Sequence, residues 1–322
     1  MGKTSDLLQD YPDEILNKCS QERLEKLRGI KDPARFLTEL REFASESAPV
    51  WSFGLHRSGS TWLGEQFLNC FLETVYKEPF DLFQSAGQKE SYDKLHLGSA
   101  GEAPRPKIQK KLELTQIPLD RLILAIHDRF WFYHHLDSAI IDQLEGLYPR
   151  SKFMFWYRDL RDIIDSYAYP VKDHWPQKKF PYLGENPRER FLGALNRIIS
   201  WTKMHLQAVN KYKDRMFMLN YENFTSDFLN SGARLLDYLG VDYSREELER
   251  EEEKFSARHG MWENWDDWEL SLFYHTQARD LNRVLGYASG GEKSSNSWDK
   301  PIPTDRLLSK EETEELINEI QK

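Results

Sequence analysis

The residues best suited to chemistry lie in one short stretch, Gly54-Leu55-His56-Arg57-Ser58-Gly59-Ser60-Thr61, where two glycines, three hydroxyls and one permanent cation sit together. A loop of that composition between a strand and a helix turns several backbone N–H groups, and the positive end of the helix dipole, toward one point. Such a point suits a phosphate or another oxyanion. Gly54, Gly59 and Thr61 fall on the phosphate-loop spacing G-x-x-x-x-G-K-[ST], but Ser60 stands where the lysine belongs and the cation is Arg57 instead. Without a lysine to reach the β- and γ-phosphates, the loop reads as an anion site unlike an ordinary ATP or GTP site. The competing reading is a plain strand-to-helix turn with a serine N-cap.

A second cation follows a continuous apolar run. Phe153-Met154-Phe155-Trp156-Tyr157 leads into Arg158, and Ser166 follows eight residues after that arginine. Arginine offers a bidentate, permanently charged fork for a phosphate, and a serine on the first turns of a following helix adds a hydroxyl. The competing reading of Arg158 is a surface ion pair with Asp159 or Asp162, an interaction worth little. Other polar groups close apolar runs: Glu78 in Tyr76-Lys77-Glu78-Pro79-Phe80, His127 after 122–126, and Tyr221 in Leu219-Asn220-Tyr221-Glu222. Trp262, Trp265 and Trp268 recur every third residue among acids. They read as core anchors on a shared helix face or, more sharply, as a pocket for a cationic acceptor.

The elements that position these groups follow from periodicity. Residues 5–47 carry apolar positions at helical spacing, interrupted at Tyr11-Pro12 and Asp32-Pro33, and read as an N-terminal helical extension. Strands are expected from Val50, at 74–76, 122–127, 153–157 and 216–219; helices at 61–72, 136–147, 187–211 and across 244–287. The charge run 246–254 is a solvated face, and Ser309 with Glu312 forms a capping box opening a last helix. Residues 84–118 are polar, with several Gly and Pro, and read as a long surface insertion. Strands apolar on both faces and separated by helices mean a parallel sheet covered on both sides. Ligands of such sheets sit at the carboxyl ends of the strands, where the Arg57 loop, Glu78, His127, Arg158 and Tyr221 all fall. The fold class is therefore α/β, with a P-loop-like parallel central sheet flanked by helices on both faces. Residues 1–47 form the extension and 48–322 a single domain.

Composition narrows the partners. The 322 residues suffice for a sizeable core, and an aromatic content of 13% opposes disorder. A net charge of −9 argues against nucleic acid and against a polyanionic acceptor. Cys19 and Cys70 are the only cysteines, which suits a reducing compartment. The N-terminus has no apolar signal core and no run of apolar residues is long enough to span a bilayer, so a cytoplasmic protein without a membrane span is expected. No H-x-x-H, C-x-x-C or acidic pair with metal-site context is present, and no metal is expected. Oligomeric state is left open.

Arg57-Ser58-Gly59-Ser60-Thr61-Trp62-Leu63 resembles the 5′-phosphosulfate loop, [KR]-S-G-[TS]-[TS]-W-L, of the sulfotransferases that use 3′-phosphoadenosine 5′-phosphosulfate (PAPS). Residues 152–167 are similar to that family's 3′-phosphate motif, and 219–224 to its Y-E segment near the adenine; the matches keep the family order. The resemblance implies that Arg57 and the amides from Ser58 through Gly59 and Ser60 to Thr61 hold the 5′-phosphate. It assigns Arg158 and Ser166 to the 3′-phosphate and places Trp62 and Tyr221 near the adenine. The segment 290–298 is similar to the one that family members close over the 3′-phosphate, with Lys293 its cation.

Two residues resemble the family's bases. His127 matches the strand-ending histidine of the cytosolic branch, though Ala125 replaces that branch's lysine, and Glu78 matches the E-P segment of the carbohydrate-modifying branch. The implied activity is transfer of a sulfuryl group from PAPS to a hydroxyl or amine of a small-molecule acceptor, leaving adenosine 3′,5′-bisphosphate (PAP). The alternatives are a P-loop small-molecule kinase, opposed by Ser60 and by the lack of an aspartate ending strand 153–157, and a non-catalytic nucleotide-binding protein of the same fold.

Overall fold

The structure is a computed structural model that describes residues 8, 19–55, 57–60, 62–72, 75–77, 130–133, 138–169, 186–254, 260–288 and 300–320. Thr61, Glu78, His127 and Lys293 lie outside the described residues, as do the expected strand 122–127 and the insertion 84–118.

Among the described residues, five parallel strands form one sheet: β1 (Val50–Gly54), β2 (Val75–Lys77), β3 (Phe130–Tyr133), β4 (Lys152–Tyr157) and β5 (Met216–Asn220), in the order β2-β3-β1-β4-β5. Side chains alternate across a strand. Trp51, Phe53, Phe153 and Phe155 therefore enter one core, and Val50, Met154, Trp156 and Leu219 another. The first core is closed by α1 (Gln21–Leu27), α2 (Pro33–Glu46), α3 (Ser138–Leu147), α4 (Leu160–Ala168) and the long α5 (Pro187–Tyr212). The second is closed by the segment after β1, α6 (Tyr221–Ser226), α7 (Phe228–Leu239) and α8 (Arg245–Lys254). The sheet is thus covered on both faces, as its continuous apolar strands require. Two further helices, α9 (Asp267–His275) and α10 (Gln277–Val284), add Leu272, Phe273 and Ala278 to the first core.

Local signals account for the helix ends. Asp32 caps α2 with Pro33 at its first position, and Asn186 with Glu189 forms a capping box on α5. Gly240, at φ +74°, ends α7 in the left-handed region. Leu27, Leu40 and Phe43 from the N-terminal helices share the core of Trp51 and Phe153. In α8 only Leu248 is buried, so the charge run is a solvated face. The last helix, α11 (Lys310–Ile320), follows the expected Ser309–Glu312 box, with Ser309 N–H donating to Glu312 Oε2 at 2.8 Å.

Two expectations are corrected, and one strand is added to them. Residues 61–72 are not a regular α-helix: a π-helical segment, Trp62–Phe67, runs into a 3₁₀ turn, Leu68–Cys70. The wider turn brings Trp62 and Phe67, five apart, within 5.8 Å and packs both against Phe224 and Phe228. The strand between β2 and β1 is Phe130–Tyr133, which the periodicity left unassigned; four consecutive aromatics suit a central strand. Trp262, Trp265 and Trp268 do not share a helix face. Trp262 lies in a 3₁₀ turn (Met261–Asn264), Trp265 follows it, and Trp268 belongs to α9.

Candidate anion site at the carboxyl ends of β1 and β4

The chain leaves β1 toward the β2 edge and leaves β4 toward β5. The crevice between the ends of β1 and β4 is therefore the topological switch point, where open parallel sheets bind ligands. The Arg57 loop rises from β1 and Arg158 from β4.

The loop is tightly specified. Gly54 pairs with Trp156, and a Cβ at Gly54 would run into the Trp156 carbonyl, so only glycine lets the strands close. Arg57 adopts φ +69°, a left-handed conformation costing a non-glycine residue about 1–2 kcal/mol. Such strain persists only where surrounding contacts impose it, and here several do. Ser58 Oγ donates to Leu55 O at 2.5 Å, Trp156 Nε1 donates to Ser58 O at 2.5 Å, and an Arg158 N–H donates to Arg57 O at 3.3 Å. Gly59 follows at φ +92°, over the ring of Tyr221.

The two predicted phosphate elements meet. Arg57 Nε donates to Ser166 Oγ at 2.7 Å, joining the loop after β1 to the second turn of α4. Arg158 stacks its guanidinium over Tyr221 at 4.5 Å, and the same ring abuts Gly59. Arg57, Ser58, Gly59, Arg158, Ser166 and Tyr221 therefore form one cluster. Ser60 is buried beside them, and Trp62 is half-buried in the aromatic group with Phe67, Phe224 and Phe228. Tyr221, expected at a strand end, is the first residue of α6.

Arg158 is ion-paired, as its competing reading held, but the pair is buried. Arg158 meets Asp162 at 3.0 Å and approaches Glu222 at 3.8 Å. Burial opposes its charge, yet Asp162 and Glu222 outweigh that and hold the guanidinium above its ordinary value. Arg57 goes the other way: burial pulls it below the ordinary arginine value, and the nearby charge of Arg158 adds to the effect. Two guanidiniums in one crevice, one of them disfavoured by its surroundings, gain from a bound anion.

A buried polar layer holds Arg158 in place; the sequence pointed to Asp159 and Asp162 as surface partners and missed Glu222, Tyr287 and the amides of Gly260 and Met261. Asp162 also accepts from the amides of Gly260 and Met261, at 2.9 and 2.8 Å. Glu222 accepts from the Asp159 amide at 3.2 Å and from the Tyr287 hydroxyl, and burial pushes its carboxyl up to about 8. Asp159 caps α4 and pairs with the fully buried Arg161, whose guanidinium lies 4.0 Å from the Trp262 ring. Acids crowded just after an apolar strand are a visible signal, but most of their partners lie far away in sequence.

Among the described residues, the burial of Trp262 and Trp265 speaks against the acceptor pocket expected at the tryptophans. Trp265 is buried against Phe191, and its indole N–H is spent on Asp165 at 2.9 Å. Arg188 covers Trp268, and Asp267 is paired with Arg306 at 2.7 Å. Trp262 and Trp265 are core anchors, and Trp268 is a partly buried neighbour of the same core.

Among the described residues no helix is long and apolar enough to cross a membrane. The sequence model of the family described as "Sulfotransferase domain" matches residues 48–268. No curated protein sequence matches this chain. Solved structures similar to it include mouse sulfotransferase SULT7A1 complexed with PAP, at 17% identity and TM-score 0.47, covering 77% of this chain and 92% of that one. The sulfotransferase domain from the curacin biosynthetic pathway is similar at 15% identity and TM-score 0.44, covering 66% and 79%. A retinol dehydratase in complex with retinol and PAP is similar at 19% identity and TM-score 0.37, covering 74% and 70%.

Proposed function

This chain belongs to the sulfotransferase family, and from that premise we propose that it moves a sulfuryl group from PAPS to a hydroxyl or amine of a small-molecule acceptor. The observation that carries the reading is the Arg57–Ser166 hydrogen bond of 2.7 Å. It brings the loop suited to the 5′-phosphate against the helix suited to the 3′-phosphate, within reach of one nucleotide. The missing Cβ at Gly59 supports the fit, because it lets the loop backbone settle directly against the Tyr221 ring, where a side chain would collide.

When bound, PAPS supplies the activated sulfuryl group. The chain's residues then have separate tasks. Arg57 and the amides of Gly59 and Ser60 hold the 5′-phosphate and stabilise charge as the sulfur–oxygen bond to it breaks, whereas the Ser58 amide, expected to join them, donates to Leu55 O at 3.3 Å. Arg158 and Ser166 bind the 3′-phosphate, while Tyr221 supports the arginine from below. Trp62 offers its exposed part to the adenine, and Thr61 and Lys293 complete the donor site. Glu78 or His127 takes the proton from an acceptor hydroxyl as its oxygen forms the new bond to sulfur. Positioning and charge stabilisation supply most of the catalysis, as in phosphoryl transfer. Two cysteines in 322 residues support a reducing compartment.

Calorimetric titration with PAP, and with ATP plus magnesium, tests the donor, followed by an acceptor screen with radiolabelled PAPS. PAP binding that is lost in Arg57→Ala and Arg158→Ala is the expected result. Magnesium-dependent ATP binding without PAP binding would overturn the reading. Full turnover in both Glu78→Ala and His127→Ala would remove the base assignments.

A further inference from the structure

Trp156 is an unusual residue to find under an anion loop. It sits in β4, two residues before Arg158, fully buried, in the second core with Leu63, Phe67 and Phe224. A buried tryptophan must find an acceptor for its indole N–H or lose a hydrogen bond's worth of stability. Its Nε1 donates at 2.5 Å to the main-chain carbonyl of Ser58, inside the loop. The ring then continues beneath the next residue: a Cβ built on Gly59 would lie 3.5 Å from Trp156 Cζ2. Tyr221 meets the same indole edge-on at 5.9 Å, so the ring is wedged from the side.

The consequence follows from peptide geometry. In a trans peptide the carbonyl of one residue and the N–H of the next point in opposite directions. With the Ser58 carbonyl held down onto Trp156, the Gly59 N–H is turned away from Trp156. Trp156 belongs to the second core, whereas α4, which carries Ser166, covers the first. The Gly59 N–H is thus aimed away from the second core, on the side of the sheet where Arg57 reaches Ser166. Gly59 has no side chain to enforce this orientation, and at φ +92° its backbone has the widest freedom of any residue type.

We propose that Trp156 is a positioning residue for the donor's 5′-phosphate: its indole N–H locks the Ser58–Gly59 peptide so that the Gly59 amide faces the anion. The proposal rests on the donor reading above and gives a part in holding the 5′-phosphate to a strand residue inside the segment matched to the 3′-phosphate motif. It distinguishes the indole nitrogen, which orients the loop, from the ring, which fills the core.

Trp156→Phe removes the N–H and keeps an aromatic ring. Site-specific replacement by 3-benzothienylalanine keeps the whole bicycle and exchanges N–H for sulfur, which guards against a packing defect in the phenylalanine variant. Both are titrated calorimetrically with adenosine 5′-phosphate, adenosine 3′-phosphate and PAP, alongside the unaltered protein. Loss of one orienting hydrogen bond predicts about tenfold weaker binding of the two ligands with a 5′-phosphate, and about twofold or less for adenosine 3′-phosphate. Unchanged affinity for all three in a folded variant overturns the proposal. So does equal weakening of all three, which makes Trp156 a core residue alone. If the unaltered protein binds none of the three, the donor reading itself fails, and that is seen without any variant.

Discussion

Gly59→Ala tests how the loop is built. An alanine Cβ at that position would stand 2.7 Å from Tyr221 Cε2 and 2.9 Å from Cδ2, closer than real Cβ atoms come to any neighbour. The tyrosine has nowhere cheap to go. It is buried, Arg158 covers its ring at 4.5 Å, and Trp156 abuts it at 5.9 Å. The backbone adds its own penalty at φ +92°. A left-handed non-glycine residue costs about 1–2 kcal/mol and overpacking about 1–3 kcal/mol, so the variant should lose about 2–5 kcal/mol if the loop keeps its shape. Urea denaturation reads that loss directly. If the loop shifts instead, the cost moves into binding, and PAP affinity falls while stability recovers. Tyr221→Ala separates the two causes, because it removes the obstructing ring and leaves the φ penalty. In the double variant the alanine methyl at 59 then occupies space the ring vacated, and the two losses should sum to less than their parts by about 1 kcal/mol or more. A Gly59→Ala protein with unaltered stability and unaltered PAP affinity would refute the reasoning. Strictly additive losses would refute the steric part of it.

The other predictions concern the layer around the site. Asp162→Asn removes the counter-ion of buried Arg158 while keeping the shape, and should cost about 3–5 kcal/mol, seen as a lowered midpoint in thermal unfolding; an unchanged midpoint would make the pair incidental. Trp265→Ala should lose about 3–5 kcal/mol by denaturation with the acceptor KM unchanged in steady-state kinetics, whereas a stable variant with a raised acceptor KM would restore the pocket reading. Glu222 gives a pH signature. Its folded value of about 8 stands above an ordinary value of 4.5, so across that window the native state holds a proton that the unfolded chain has released. Stability therefore declines as pH rises through the window and levels above it, and Glu222→Gln should flatten the decline in urea midpoints measured between about pH 5 and about pH 8. A wild-type profile that rises across that window would overturn the buried-carboxyl account.

Residue identity and short-range spacing determined a good deal here. The strand-to-loop step at Gly54, the apolar run ending in Arg158, the eight-residue offset to Ser166 and the Ser309–Glu312 cap are local patterns, and local patterns are what a linear chain records. The parallel sheet followed because strands apolar on both faces leave no other arrangement. Tertiary structure alone decided whether Arg57 and Ser166, 109 positions apart, would touch. It also decided that the helix after the loop would widen into a π turn, since that depends on Phe224 and Phe228 packing against Trp62. The tryptophans of 262–268 show the same limit from the other side. Their spacing is compatible with a pocket, and only the arrival of Phe191 and Asp165 from distant helices makes Trp265 a core residue. Trp156 shows it most plainly: in sequence it is one more apolar letter in a strand, because its hydrogen bond is to a backbone carbonyl that carries no residue signature.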